Sequence, residues 1–144
     1  MRRVIILDTG PLAKIVNPRK FPEIKQWLQQ LLRAGENVLI PEIADYEFRR
    51  GLLRIGDTTS IERLDGYHVL LGYLPITTAA MRQAAEYWAD ARRRGYAMGP
   101  EPALDGDAIL AAQAATFGGS TVVATENARH VGRYTAAAHW NQIT

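Results

Sequence analysis

Three short aliphatic runs constrain this chain more than any other feature. Val4-Ile5-Ile6-Leu7, Val38-Leu39-Ile40 and Thr121-Val122-Val123-Ala124-Thr125 are β-branched stretches uninterrupted by charge. Strands of this kind are covered on both faces, as central parallel strands are. Helical segments separate them. Phe21 to Arg33 places Ile24, Trp27, Leu28, Leu31 and Leu32 at helical period and stops at Gly35. Pro41 opens a helix through about Ile55, a further helical segment runs from about Ser60 to Leu71, and Thr77 or Thr78 caps one that reaches Arg94. Leu74–Thr77 reads as another strand, Gly95–Pro102 as a loop, and about Asp105 to Phe117 as a helix ended by Gly118-Gly119. One more strand is expected near His139-Trp140. Strands separated by helices pair in parallel through right-handed crossovers. The expected fold is therefore α/β, a three-layer α/β/α arrangement around a central parallel sheet of four to five short strands. With no repeat and no low-complexity linker, residues 1–144 read as one domain.

Composition narrows the function. A chain that is 47% hydrophobic and 22% charged is globular rather than disordered. The absence of cysteine removes disulfides, thiolate metal sites and cysteine nucleophiles, and favours a cytoplasmic address. Seventeen basic against fifteen acidic residues, net +2, permit a nucleic-acid partner without arguing for one. The run Val4–Leu7 is stopped by Asp8, too short for a signal peptide, and no apolar stretch approaches the roughly 18 residues of a membrane span.

In parallel α/β sheets, ligands bind beyond the carboxyl ends of the strands. Asp8 directly follows the first strand, where Asp-Thr-Gly-Pro is also good turn and capping chemistry. Glu47 lies in the helix opened by Pro41, with Ile43, Ala44, Phe48 and Gly51 at helical spacing, so it projects from the inner face or its edge. A carboxylate there needs a partner; Arg50 and Arg54 on the same side offer a structural ion pair. Asp107 heads the stripe Leu110, Ala111 and Ala114, while Asp105, about 200° away around a helix, is assigned to N-capping. Capping alone also accounts for both acids. Thr125-Glu126-Asn127 follows the late strand; Asn127 can offer an oxygen to a metal or cap a short helix, and Thr125 can orient a water or a carboxylate. Together, three acids and an amide oxygen arrive at one sheet edge from four segments. Carboxylates so gathered raise one another's pKa unless a cation joins them. Oxygen donors without cysteine or paired histidine point to Mg2+ or Mn2+. His68, His130 and His139 are scattered and read as structural or exposed.

The phrases VIILDTGPLAKI, PEIADYEFRRGL, LDGDAILAAQA and VVATENARHV give the chain a resemblance to PIN-domain ribonucleases of the VapC toxin type. They span nearly the whole sequence in the order and spacing of that family. The resemblance implies catalytic acids at Asp8, Glu47 and Asp107, which would hold the metal, with Asn127 where many members carry a fourth acid and Thr125 as the hydroxyl before it. It further implies Mg2+- or Mn2+-dependent cleavage of single-stranded or looped RNA, homodimers, and a cognate antitoxin. Phosphate contacts are expected from Arg50, Arg54, Arg129 and Lys14, which position a strand without reading its bases. Two other readings are an RNA-processing nuclease of PIN type without an antitoxin, and a non-catalytic RNA-binding or interaction module. Asn127 favours the last; the three acids oppose it.

Overall fold

Five strands pair in parallel throughout: β1 (Val4–Leu7), β2 (Asn37–Pro41), β3 (Gly72–Leu74), β4 (Thr121–Thr125) and β5 (Ala137–His139), in the order β3-β2-β1-β4-β5. The computed structural model describes residues 3–96 and 101–144. Helices α1 (Thr9–Val16), α2 (Pro22–Arg33), α3 (Glu42–Ile55), α4 (Thr58–Leu70), α5 (Thr78–Arg94), α6 (Glu101–Phe117) and the short α7 (Ala128–Val131) complete the expected α/β architecture. A single 3-10 turn, Pro18–Lys20, joins α1 to α2.

β1 shows why the sheet is covered twice. Ile5 and Leu7 pack with Leu12 and Ile15 of α1, Ile24 and Leu28 of α2 and Leu64 of α4. Ile6, pointing the other way, packs with Leu110, Ala111 and Ala114 of α6 and with Val123. Ile5, Ile6 and Leu7 are fully buried, each contributing roughly 1.5–3 kcal/mol of transfer free energy. Ala80 and Ala84 of α5 meet Ala108 and Ala112 of α6, so two backbones approach closely without bulky side chains between them. On the opposite side, Trp27 stacks edge-on against Trp140 and donates its indole N–H to the Ile143 carbonyl at 2.7 Å, tying the chain end to α2.

The strand expected at Leu74–Thr77 lies earlier, at Gly72–Leu74. Gly72 sits opposite Leu39, where a Cβ would come within 2.3 Å of the Leu39 Cδ2, so the missing side chain makes room for the leucine. Ile76 N–H leaves the ladder and donates to Glu42 Oε1 at 2.7 Å. α6 begins at Glu101, so Glu101 and Pro102 are helical rather than loop; proline in a first turn has no N–H to lose. This earlier start also removes Asp105 from the N-cap position assigned to it: it lies inside α6 and is exposed. Residues 97–100 of the expected loop lie outside the described residues. Finally, Asp8-Thr9-Gly10-Pro11 is no isolated turn but the start of α1, capped by Asp8.

β1 stands between β2 and β4, so the chain leaves it in one direction along the sheet and returns on the other side. That reversal opens a crevice beyond the carboxyl ends of β1 and β4.

Because β1 is buried on both faces, Ile5→Ala and Ile6→Ala should each cost about 2–5 kcal/mol of unfolding free energy in urea titrations. A loss below about 1 kcal/mol for either would contradict the two-sided packing.

Candidate active site

Asp8 is placed by the β1–β4 pairing. Its N–H extends the ladder to the Ala124 carbonyl at 2.9 Å, so its side chain starts where the sheet stops. Asp8 Oδ1 accepts from Thr9 N–H at 2.7 Å, and Oδ2 accepts from the Thr125 hydroxyl at 2.6 Å. Thr125, fully buried at the end of β4, accepts in turn from Asn127 N–H at 2.8 Å. The capping reading of Asp8 therefore holds locally, yet its second oxygen is committed across the crevice.

Glu47 enters from α3. Its Oε1 accepts from the Thr9 hydroxyl at 2.8 Å, whereas Arg50 Nη2 stands 4.0 Å from Oε2. The stronger bond is to the threonine beside Asp8. Glu47 Oε2 also lies 2.5 Å from where a Cβ of Gly106 would be, so the α6 backbone leaves space for this carboxylate. Asp107 follows directly, and its Oδ2 accepts from Asn127 Nδ2 at 3.4 Å. Asn127 occupies the N-cap position of α7 but makes no side-chain cap bond there. A ring of contacts thus runs from Asp8 through Thr9, Glu47, Gly106–Asp107, Asn127 and Thr125 back to Asp8, drawing on β1, α3, α6 and β4.

The electrostatics follow from this crowding. Burial pushes the Asp107 carboxyl up to about 7, and the charges of Asp8 and then Glu47 add to the shift. Asp8 is also raised, by burial first; its hydrogen bonds from Thr125 and Thr9 oppose the rise, and the charge of Glu126 adds to it.

Glu126 escaped the sequence reading. It forms an ion pair with Lys14, and its Oε1 lies 2.6 Å from where a Gly10 Cβ would be, so a fourth carboxylate presses on the start of α1. Its position between Thr125 and Asn127 was the available signal. Gly106 and Thr9 were missed likewise, each adjacent in sequence to an acid already singled out. Lys14, expected to meet phosphate, is engaged by Glu126 and lies 4.4 Å over the Phe21 ring. Arg50 lies over the Tyr46 ring at 5.0 Å, and Arg54 and Arg129 are exposed. The histidines are not part of the ring; His68 bonds Asp45 at 2.6 Å on the flank of α3.

A family model described as the PIN domain matches residues 5–134. The chain belongs to the PIN domain family. That family is one of nucleases. The PIN fold is also seen in three similar solved structures, each well over nine-tenths covered. VapBC2 from Rickettsia felis, bound to a promoter DNA fragment, gives a TM-score of 0.76 at 16% identity, over 95% of this chain and 98% of that one. DNA-bound VapBC from Salmonella typhimurium gives 0.75 at 22%, over 97% and 99%. FitAcB from Neisseria gonorrhoeae gives 0.74 at 23%, over 96% and 99%. No curated protein sequence matches the chain.

The donor set of this PIN domain suits a hard divalent cation: carboxylate, amide and hydroxyl oxygens, converging where carboxyl charges already repel. Among the described residues, no three acidic or imidazole groups stand close enough to form a closed ligand set. Asp8, Glu47 and Asp107 each give an oxygen to a neutral donor from a neighbouring segment. No described helix is long and apolar enough to cross a membrane.

The raised Asp107 carboxyl has a thermodynamic consequence. The folded state keeps its proton up to about 7, whereas the unfolded chain releases it near 3.8. Folded protein therefore binds more protons between those values, and stability falls as pH rises through that window. Melting temperatures measured in chelator from pH 4 to pH 7.5 should show this fall, and Asp107→Asn should flatten it. An equal slope in the variant would contradict the electrostatic coupling.

Proposed function

We propose that this PIN domain is a Mg2+- or Mn2+-dependent endoribonuclease that cleaves single-stranded or looped RNA in the cytoplasm, as the toxin of a toxin–antitoxin pair. The observation that carries this reading is that Asp8, Glu47 and Asp107 share one ring of contacts at the crevice beyond the carboxyl ends of β1 and β4. Asp8, Glu47 and Asp107 would hold the metal, with Asn127 and Thr125 completing the catalytic set. The bound cation would supply an activated water and neutralise charge on the phosphate.

The chain's own residues prepare that chemistry. The Thr125 hydroxyl fixes Asp8 Oδ2, and Thr9 fixes Glu47 Oε1, so neither carboxylate rotates freely. The Asn127 amide N–H holds Asp107, which leaves its own carbonyl oxygen as a neutral donor to a cation. That neutrality limits the charge gathered in the crevice. Lys14 offsets Glu126, so the fourth acid repels an incoming phosphate less. Arg50, Arg54 and Arg129 would approach the phosphate backbone from the rim.

The antitoxin partner is proposed from the family reading and from structural neighbours that are VapBC and FitAB complexes. A homodimer belongs to the same proposal; exposed Leu53, Ile55, Val69 and Leu70 near the ends of α3 and α4 supply apolar surface for association. Sedimentation velocity at micromolar concentration should show a dimer, and monomer alone would remove that part.

Asp8→Asn tests the mechanism. Asparagine caps a helix about as well as aspartate, so the fold should persist while metal-dependent cleavage of a labelled RNA drops by at least about 100-fold. Mg2+ should raise the melting temperature of the parent more than that of the variant. Near-normal cleavage by folded Asp8→Asn protein would sink the metal-site assignment.

A further inference from the structure

Among the described residues, three buried side-chain polar atoms find no hydrogen-bond partner. Two of them, His130 Nδ1 and Arg133 Nη1, belong to the turns that follow Asn127. Arg133 forms no ion pair and no side-chain hydrogen bond with any described residue. Stacking holds its guanidinium instead, with Cζ 4.0 Å from the centre of the Tyr96 ring. Nη1 is turned inward, so Nε and Nη2 form the edge left to solvent. A guanidinium drawn part-way out of water without acceptors is costly, and an anion would supply what it lacks.

The surroundings explain why no carboxylate does so. Asp90, an acid at this end of α5, is already committed: Oδ2 accepts from the Tyr134 hydroxyl and Oδ1 from Arg94 Nε, each at 2.8 Å. Tyr134 stacks on Tyr87 at 4.4 Å and packs in the same cluster as Ile109 of α6, so the residue next to Arg133 is anchored. Chain path then places this cation beside the acids. Asn127 donates to Asp107 Oδ2, α7 follows at once, and Val131 packs with Leu110 and Ala111 of the helix that carries Asp107. Arg133 is six residues beyond Asn127, a helical rise of roughly 9 Å. Arg129, four residues before it, is exposed.

We propose that Arg133 binds the phosphate of a nucleotide next to the scissile one, on the β5 side of the crevice, with Tyr96 holding the guanidinium in position. The proposal rests on the nuclease reading above and adds one residue to its substrate contacts. A planar fork of N–H donors matches two oxygens of one phosphate group. A strand whose scissile phosphate lies over the acids continues past this rim, whereas the crevice repels the carboxylates of an acidic protein. Arg133 reads no base, and Tyr96 is a positioning residue.

The test compares Arg133→Gln with Arg33→Gln, which removes the same charge from the exposed end of α2, before the amino end of β2. Binding of a labelled oligouridylate of about twelve nucleotides is read by fluorescence anisotropy in chelator. Arg133→Gln should weaken it at least about tenfold, as loss of a charged hydrogen bond does. The slope of log K against log salt should fall by about 0.7, one phosphate contact. Arg33→Gln should change neither, because salt screens a remote charge. Tyr96→Leu should weaken binding when Arg133 is present and add nothing in the Arg133→Gln background, an interaction that a purely structural tyrosine would not show. Melting temperature and sedimentation check that each variant folds and associates as the parent does. Arg133→Met keeps an unbranched chain on Tyr96 and repeats the measurement if Arg133→Gln destabilises the turn. Parent-like affinity and slope in a folded Arg133 variant would overturn the assignment, as would an equal loss in Arg33→Gln. Cleavage of the same RNA in Mn2+ is scored separately. A parent that binds through Arg133 but never cleaves defeats the nuclease reading alone. One that cleaves while Arg133→Gln binds as the parent does defeats this inference alone.

Discussion

The pairing of β1 with β4 is the constraint on which the rest depends. It brings together Asp8 and Thr125, residues 117 apart in sequence, and closes a 2.6 Å hydrogen bond between them at the carboxyl edge of the sheet. Each strand is four or five residues long, and an isolated parallel pair of that length would not persist. The pairing survives because Ile5, Ile6 and Leu7 are sealed by helices on both faces. Hydrophobic burial therefore fixes the backbone, and the backbone fixes where the acids stand.

The acids work against the fold that holds them. Burial in the crevice raises the Asp107 carboxyl first, and the charges of Asp8 and Glu47 raise it further. The fold limits this cost by surrounding them with neutral donors, Thr9, Thr125 and Asn127, and by setting Lys14 against Glu126. Sites that concentrate like charge for function commonly give up stability locally. Gly106 belongs to the same logic, because any side chain there would displace Glu47.

Much of this architecture was legible in the sequence, for physical reasons that also mark its limits. β1, β2 and β4 are aliphatic because they are covered twice, and α2 and α3 carry apolar stripes because one face of each is buried. β3 was misplaced because an edge strand needs little hydrophobic signal: Gly72 and Tyr73 are exposed, and pairing with Leu39 depends on an absent side chain. The start of α6 was set too late because Pro102 looks like a helix breaker and in a first turn is not one. Asp8, Glu47 and Asp107 were legible because each falls at a strand end or on an inward helix face. Their mutual contacts were not, since the ring joins side chains from segments far apart. Lys14 illustrates the same gap: its spacing from Asp8 was visible, its engagement by Glu126 was not.

Asp8, Glu47 and Asp107 are proposed to hold a hard divalent cation in the crevice beyond β1 and β4. The most direct measurement is an anomalous difference map from crystals soaked in Mn2+ at a concentration that supports cleavage in solution. The account predicts a peak in the crevice beyond β1 and β4, in contact with Asp8 and Asp107 and within reach of Glu47. A map without a peak there, or with Mn2+ held only elsewhere on the surface, would contradict it.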